Sequence, residues 1–282
     1  MQYLVARDLD EAVRLRAQTG FPPLAGGTDL YPAIENGARI EGMIDISRVA
    51  ALHAPIALDE GVWTLPALTT WTEVIDAELP AQFDALKQAA AEVGGRQIQN
   101  TGTVGGNLCN ASPAADGVTA LIALDASVVL KGSRGERVVP LATFVQGNRR
   151  TALTPDEILT AVRVPSLRGR HGSVFHKLGA RRYLVISIVM GAVVAELDDA
   201  GVVRTARAAV GACADRSLRI ALLEASLTGL HVDALARFAI DNDALAALAP
   251  IDDVRASARY RVHAAKAVLE KAIHDLSHRL CA

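Results

Sequence analysis

Residues Gly94 to Asp116, reading GGRQIQNTGTVGGNLCNASPAAD, constrain this chain more than any other stretch. Five glycines fall within it, and only Arg96 and Asp116 carry charge. Glycine lets a backbone turn freely and approach a ligand closely. Side chains as small as Thr103 and Ser112 add hydroxyl groups without blocking that approach. Long segments without regular structure are uncommon in compact domains unless they serve a function, so the stretch is expected to be a binding loop. Thr103-Val104-Gly105-Gly106-Asn107 offers backbone N–H groups to a phosphate. Asp116 offers an acceptor to a ribose or ribityl hydroxyl. A second, shorter glycine loop, Ala25-Gly26-Gly27-Thr28-Asp29-Leu30, lies upstream. The two loops together point to a single dinucleotide cofactor.

Neither loop is the G-x-G-x-x-G of a Rossmann crossover or a P-loop, which argues against a standard NAD site and an ATPase. The net charge of −2 gives no reason to expect nucleic acid or an anionic membrane as a partner. Three scattered cysteines, Cys109, Cys213 and Cys281, make neither a disulfide framework nor a cluster site. Cys109 is expected to be a small buried hydrophobe and His176 a partly solvated strand residue, and no metal ligand is assigned. Trp63 and Trp71 are expected in the core. Leu184 to Leu197 is the longest apolar stretch, too short for the roughly 20 residues of a bilayer span. With no signal-peptide pattern at the start, a cytoplasmic location is expected. No nucleophile–base pair is evident.

Along the chain, Asp8 and Glu11 have capping-box spacing ahead of a helix that Gly20 stops. Pro22 to Ala25 is a short apolar run, Leu30 to Glu35 a short helix, and Gly42 to Ile46 a strand. Val62 to Ala67 reads as a strand, followed by a helix, Trp71 to Ala77, capped by Thr69 or Thr70. Pro80 opens another helix running through Val93. Thr119 to Ala123 is a short apolar segment. Gly132-Ser133-Arg134-Gly135 marks a hairpin, and Ile158 to Val164 is a strand. Ser166 to Gly172 is taken as a domain boundary. Beyond it come three antiparallel strands, Val174–Leu178, Ile188–Leu197 and Val202–Val210. Helices follow: Ser217 to Thr228, a segment around Val232 to Leu248, and Val254 to His274 with a packing stripe through Val254, Ala258, Val262, Ala265, Val268 and Leu269.

The two loops, together with Ala111-Ser112-Pro113-Ala114-Ala115-Asp116, resemble the FAD loops of molybdenum hydroxylase flavoproteins, the medium subunits of the xanthine dehydrogenase and carbon monoxide dehydrogenase family. Asp156-Glu157-Ile158-Leu159, the run Phe175 to Arg182, and Gly211, Arg219, Glu224, Leu227, Gly229 and Tyr260-Arg261 extend the likeness over nearly the whole chain. The resemblance implies an α+β fold. A two-subdomain FAD-binding domain of the PCMH type (1–168, subdomains about 1–55 and 56–168) precedes a C-terminal α+β domain (172–280) with a three-stranded antiparallel sheet and helices.

The resemblance further implies FAD in this chain and two partners, a small subunit with two [2Fe–2S] clusters and a large subunit with the molybdenum cofactor, in a dimer of heterotrimers. This chain would be the electron-transfer subunit, passing electrons to an acceptor such as NAD⁺ or a quinone. The flavin would supply the redox chemistry, and the protein its binding and orientation. Leu24, Ala25, Gly26, Gly27, Thr28, Asp29, Leu30 and Tyr31, with Thr103, Val104, Gly105, Gly106 and Asn107, would surround the pyrophosphate and its linker. Ser112 and Asp116 would hold cofactor hydroxyls, Leu159 would pack along the FAD, and Lys177 would lie near the flavin's polar edge. No cysteine-rich insertion follows Asp116, so FAD alone is expected here. Two other readings are weaker. A stand-alone flavoenzyme of the vanillyl-alcohol-oxidase type needs acid–base residues that the C-terminal third lacks. A non-catalytic assembly or scaffold protein has no need of intact glycine loops.

Overall fold

The computed structural model describes residues 1–281. The first unit contains β1 (Gln2–Val5), α1 (Leu9–Thr19), β2 (Pro23–Leu24), α2 (Leu30–Glu35) and β3 (Gly42–Asp45), with the strands in a parallel sheet of order β1-β3-β2. Asp8 caps α1 by accepting the Glu11 N–H, and the Glu11 carboxylate accepts from Arg7 N–H at 2.9 Å, one residue before the capping-box position. β1 pairs in parallel with β3, yet its burial pattern does not alternate, which is why the sequence gives it no strand signal.

The second unit runs β4 (Ala57–Asp59), β5 (Val62–Pro66), α3 (Trp71–Asp76), α4 (Asp84–Glu92), α5 (Arg96–Thr101), α6 (Val104–Asn110), α7 (Asp116–Ala123), β6 (Ser127–Gly132), β7 (Gly135–Pro140), α8 (Leu141–Phe144), β8 (Val145–Gly147), β9 (Arg150–Thr151) and β10 (Ile158–Pro165). Five strands form an antiparallel sheet of order β4-β5-β10-β6-β7. Thr70 closes a capping box with Glu73 at the start of α3. A 3-10 turn, Ala81–Phe83, separates Pro80 from α4. Trp71 is buried, whereas Trp63 is half-buried and meets Phe83 edge-on.

The expected glycine loop proves to be largely helical. α5 and α6 occupy most of Gly94–Asp116, and α7 begins at Asp116 itself, taking in the apolar segment Thr119 to Ala123. Thr103 caps α6 by accepting the Gly106 N–H at 3.0 Å, while Val104 and Gly105 donate to the Thr69 and Ala67 carbonyls. Burying Leu108 and Val104 contributes roughly 1.5–3 kcal/mol each, against about 1 kcal/mol for each helical glycine. Burial wins.

The third unit has β11 (Arg170–Leu178), β12 (Val189–Leu197), β13 (Val203–Gly211), β14 (Leu218–Arg219), α9 (Ala221–Leu227), α10 (Val232–Leu235) and α11 (Ala258–Cys281). The three expected strands are present, and two-residue β14 adds a fourth to the antiparallel sheet in place of the first residues expected in a helix. All of β12 is buried. Met190, Ala192 and Val194 face the core of the second unit, while Val189, Val193, Ala195 and Leu197 face α11. A strand buried on both faces reads as a continuous apolar run, and here it unites the two cores. Val254 is fully exposed and lies before α11, whose buried stripe instead runs through Arg261, Ala265, Leu269, Ala272, Leu276 and Leu280.

Candidate cofactor site

A cleft of about 560 Å³ opens between the parallel sheet and the second unit. One wall is the loop leaving β2. Its N–H groups from Gly26 through Leu30 meet no acceptor within the chain among the described residues. The opposite wall is the start of α6 and the end of α5, where the N–H groups of Val104 to Asn107 are all bonded internally. The free donors, and hence the capacity to hold an anion, therefore belong to the shorter upstream loop. The walls touch backbone to backbone: a Cβ on Gly26 would overlap the Thr101 carbonyl, and one on Gly105 would come within 2.7 Å of the Ala67 oxygen.

Polar side chains lace the cleft together. Asn110 Nδ2 donates to Asp29 Oδ1 at 2.9 Å, and Arg149 Nη1 donates to Asn110 Oδ1 at 3.0 Å. Asn107 Oδ1 is buried with no partner in the chain. Arg137 makes a two-pronged contact with Glu157 at 2.6 and 2.8 Å, and that guanidinium holds the Glu157 carboxyl down at about 2. The β10–β6 register slips at Thr160, where a bulge sits beside the cleft residue Leu159; bulges re-aim neighbouring side chains.

Of the residues singled out from sequence, Leu24, Ala25, Gly26, Gly27, Thr28, Asp29, Leu30, Thr103, Gly105, Gly106, Asn107 and Leu159 line this cleft together. The other five do not. The Tyr31 ring lies against Gly27. Val104 is fully buried in the core. Ser112 Oγ accepts from Ala114 N–H in a turn whose Pro113 carbonyl accepts from Ala212 N–H. Asp116 and Lys177 form a buried ion pair at 2.7 Å, and Ser187 Oγ donates to the second Asp116 oxygen at 2.6 Å. Burial pushes the Asp116 carboxyl upward, and Lys177 and Ser187 oppose it. Lys177 lines an adjoining groove with Glu92, and the next residue, Val93, lines the cleft.

Arg16, Asn110, Arg149 and Glu157 also line the cleft and were not singled out. Asn110 lies inside the glycine-rich stretch and could have been included; Arg16 and Arg149 reach the cleft through tertiary folding, which leaves no local signal. Cys109 is exposed on the cleft wall rather than buried, because the last turn of α6 presents it to the cleft while Leu108 takes the core position. His176 is partly solvated and pairs with Asp275 at 2.7 Å. The sequence also holds one His-x-x-x-His pair, His274 and His278 on α11.

Residues 1–167 match the family model described as the FAD binding domain in molybdopterin dehydrogenase, and residues 174–276 match the CO dehydrogenase flavoprotein C-terminal domain. The chain belongs to this family. It is an FAD-binding medium subunit of the molybdenum hydroxylase type, a flavoprotein component of a multi-subunit oxidoreductase. It is 38% identical to the nicotinate dehydrogenase FAD-subunit of Eubacterium barkeri over 71% of this chain and 70% of that one. It is 30% identical to the xanthine dehydrogenase FAD-binding subunit of Escherichia coli O157:H7 over 97% and 94%. A solved carbon monoxide dehydrogenase from Hydrogenophaga pseudoflava superposes with a TM-score of 0.90 at 29% identity, covering 100% of this chain and 98% of that one. The expected α+β medium-subunit fold is therefore present. Among the described residues no helix is long and apolar enough to cross a membrane.

The residues present fit FAD. A diphosphate needs donors without internal partners, and Gly26 to Leu30 provide five consecutive N–H groups. The unpartnered Asn107 oxygen needs a donor, which a cofactor hydroxyl or amine supplies.

Proposed function

We propose that this chain is the electron-exit subunit of a heterotrimer. It would receive electrons from [2Fe–2S] clusters in a small partner and deliver them to an external acceptor, NAD⁺ or a quinone. Substrate would be oxidised at a molybdenum cofactor in a large partner. The complex would be a cytoplasmic dimer of such trimers, and this chain would divide into domains at 1–168 and 172–280. The row of unpaired N–H groups from Gly26 to Leu30, in a loop that lines a glycine-walled cleft, carries the reading.

Bound FAD supplies the two-electron redox chemistry. The chain's residues bind and orient it. Gly26 to Leu30 would hold the diphosphate through backbone N–H groups, and Thr103, Gly105, Gly106 and Asn107 close the opposite wall. Asn110, tied to Asp29 and Arg149, fixes the loop's far side. Leu159, beside the bulge, packs along the cofactor. We place the flavin end toward the groove that Glu92 and Lys177 line, because Val93, the residue after Glu92, lines the cleft. Asp116 and Ser187 then hold the Lys177 ammonium at the flavin's polar edge, where a fixed positive charge favours an anionic reduced form.

Depletion and add-back of this chain tests the reading. A complex lacking it should still reduce its clusters with substrate but fail to reduce the external acceptor, and adding the flavin-loaded chain should restore turnover. Acceptor reduction at full rate without the chain would refute the role.

A further inference from the structure

The pair His274 and His278 lies on one face of α11, four residues apart, well away from the flavin cleft. Both side chains are exposed. Their Nε2 atoms face each other at 3.3 Å, with the rings near perpendicular at 75°. Neither Nε2 has any other partner among the described residues. Two nitrogens bound tetrahedrally to a zinc ion at about 2.0–2.1 Å stand roughly 3.3 Å apart, the edge of that tetrahedron. The helix already holds the two nitrogens at that spacing.

A carboxylate lies beside the pair. Asp275 Oδ1 faces His274 Nδ1 at 3.6 Å, while Asp275 Oδ2 is taken by His176 and Lys271. A carboxylate on the side of the non-ligating nitrogen is the kind of outer neighbour usual around metal-bound histidine. Asp275 is itself anchored to β11 through His176. No group of three or more ligating side chains gathers there or elsewhere among the described residues. With two protein nitrogens in the shell, water would complete it.

We propose that His274 and His278 form a two-histidine site for a divalent transition-metal ion of the zinc type at the C-terminal end of α11. Binding crosslinks successive turns of the last helix and stabilises the folded chain, because an ion held by the native helix and not by the unfolded chain shifts the equilibrium toward the former. The ion has no part in the flavin chemistry.

Titration of the purified full chain, stripped with chelator, with Zn²⁺ by calorimetry and by thermal melting tests the proposal. The unaltered chain should bind one ion and melt higher with Zn²⁺ present. His278→Gln should weaken binding by at least about tenfold, since even the loss of an outer-sphere partner costs 10–100-fold. The His274→Gln/His278→Gln variant should lose the saturable site and the melting shift, with its bound flavin spectrum unchanged. Cys281→Ser should leave both intact. Absence of saturable binding in the unaltered chain, or binding that survives the double variant or follows Cys281, would overturn the site.

Discussion

Lys177 and Asp116, 61 residues apart in sequence, meet in a 2.7 Å ion pair that is almost completely buried. Asp116 is the first residue of α7 in the second unit, and Lys177 lies near the end of β11 in the third. The pair thus ties the flavin-binding half to the C-terminal sheet, with Ser187 holding the remaining carboxylate oxygen.

Asp116→Ala leaves the ammonium buried without a counter-charge. Breaking one side of a buried pair costs about 3–5 kcal/mol, so the denaturant midpoint of the variant should fall accordingly. The double variant Asp116→Leu/Lys177→Met should recover much of that loss, because no orphan charge remains. A single variant as stable as the unaltered chain would contradict the geometry.

Lys177→Met removes positive charge from the proposed flavin edge. Its bound flavin should be harder to reduce, with a midpoint potential lower by on the order of 30 mV or more, taking about 1.4 kcal/mol per 30 mV for two electrons. Spectroelectrochemical titration measures this, and an unchanged potential in the flavin-loaded variant would remove Lys177 from the flavin's edge.

Gly26→Ala forces the upstream loop away from the Thr101 carbonyl. The free N–H row moves with it, and FAD content of the purified protein should drop severalfold while the far-ultraviolet dichroism is retained. Overpacking of this kind costs roughly 1–3 kcal/mol, enough for a loss of flavin without loss of the fold.

The sequence made some of this legible and hid the rest for identifiable reasons. The β6–β7 hairpin was readable because Gly132-Ser133-Arg134-Gly135 carries its turn chemistry locally. The α1 and α3 starts were readable from Asp8 and Thr70. The helical character of Gly94–Asp116 was not, since its apolar contacts with the core, Val104 and Leu108, are too few to show a period among the glycines. The family likeness rested on the two glycine loops, but which loop keeps its N–H groups free depends on Thr69 and Ala67 approaching α6, a tertiary fact. Arg149 and Arg16 came to the cleft for the same reason.

Acid should weaken the cleft through Glu157. Its carboxyl is held at about 2 in the folded chain, chiefly by Arg137, against an ordinary value of 4.5. A group with a depressed folded pKa contributes stability above its unfolded value and loses it as pH falls toward the folded one. The contribution should therefore be full above about pH 5 and decline between about pH 4.5 and 2. The Arg137 side chain is 43% exposed, so solvent screening limits the gain to about 1 kcal/mol. Arg137→Met should flatten the acid limb of the stability curve over that window, and identical acid limbs would exclude the pair as its source.

The most direct test of the account is the cofactor content of the purified chain, read from its visible spectrum and from chromatography of what denaturation releases. The account predicts flavin absorbance, FAD as the released species, and restored flavin bands when the stripped chain is given FAD. A folded chain that neither carries FAD nor takes it up would contradict it.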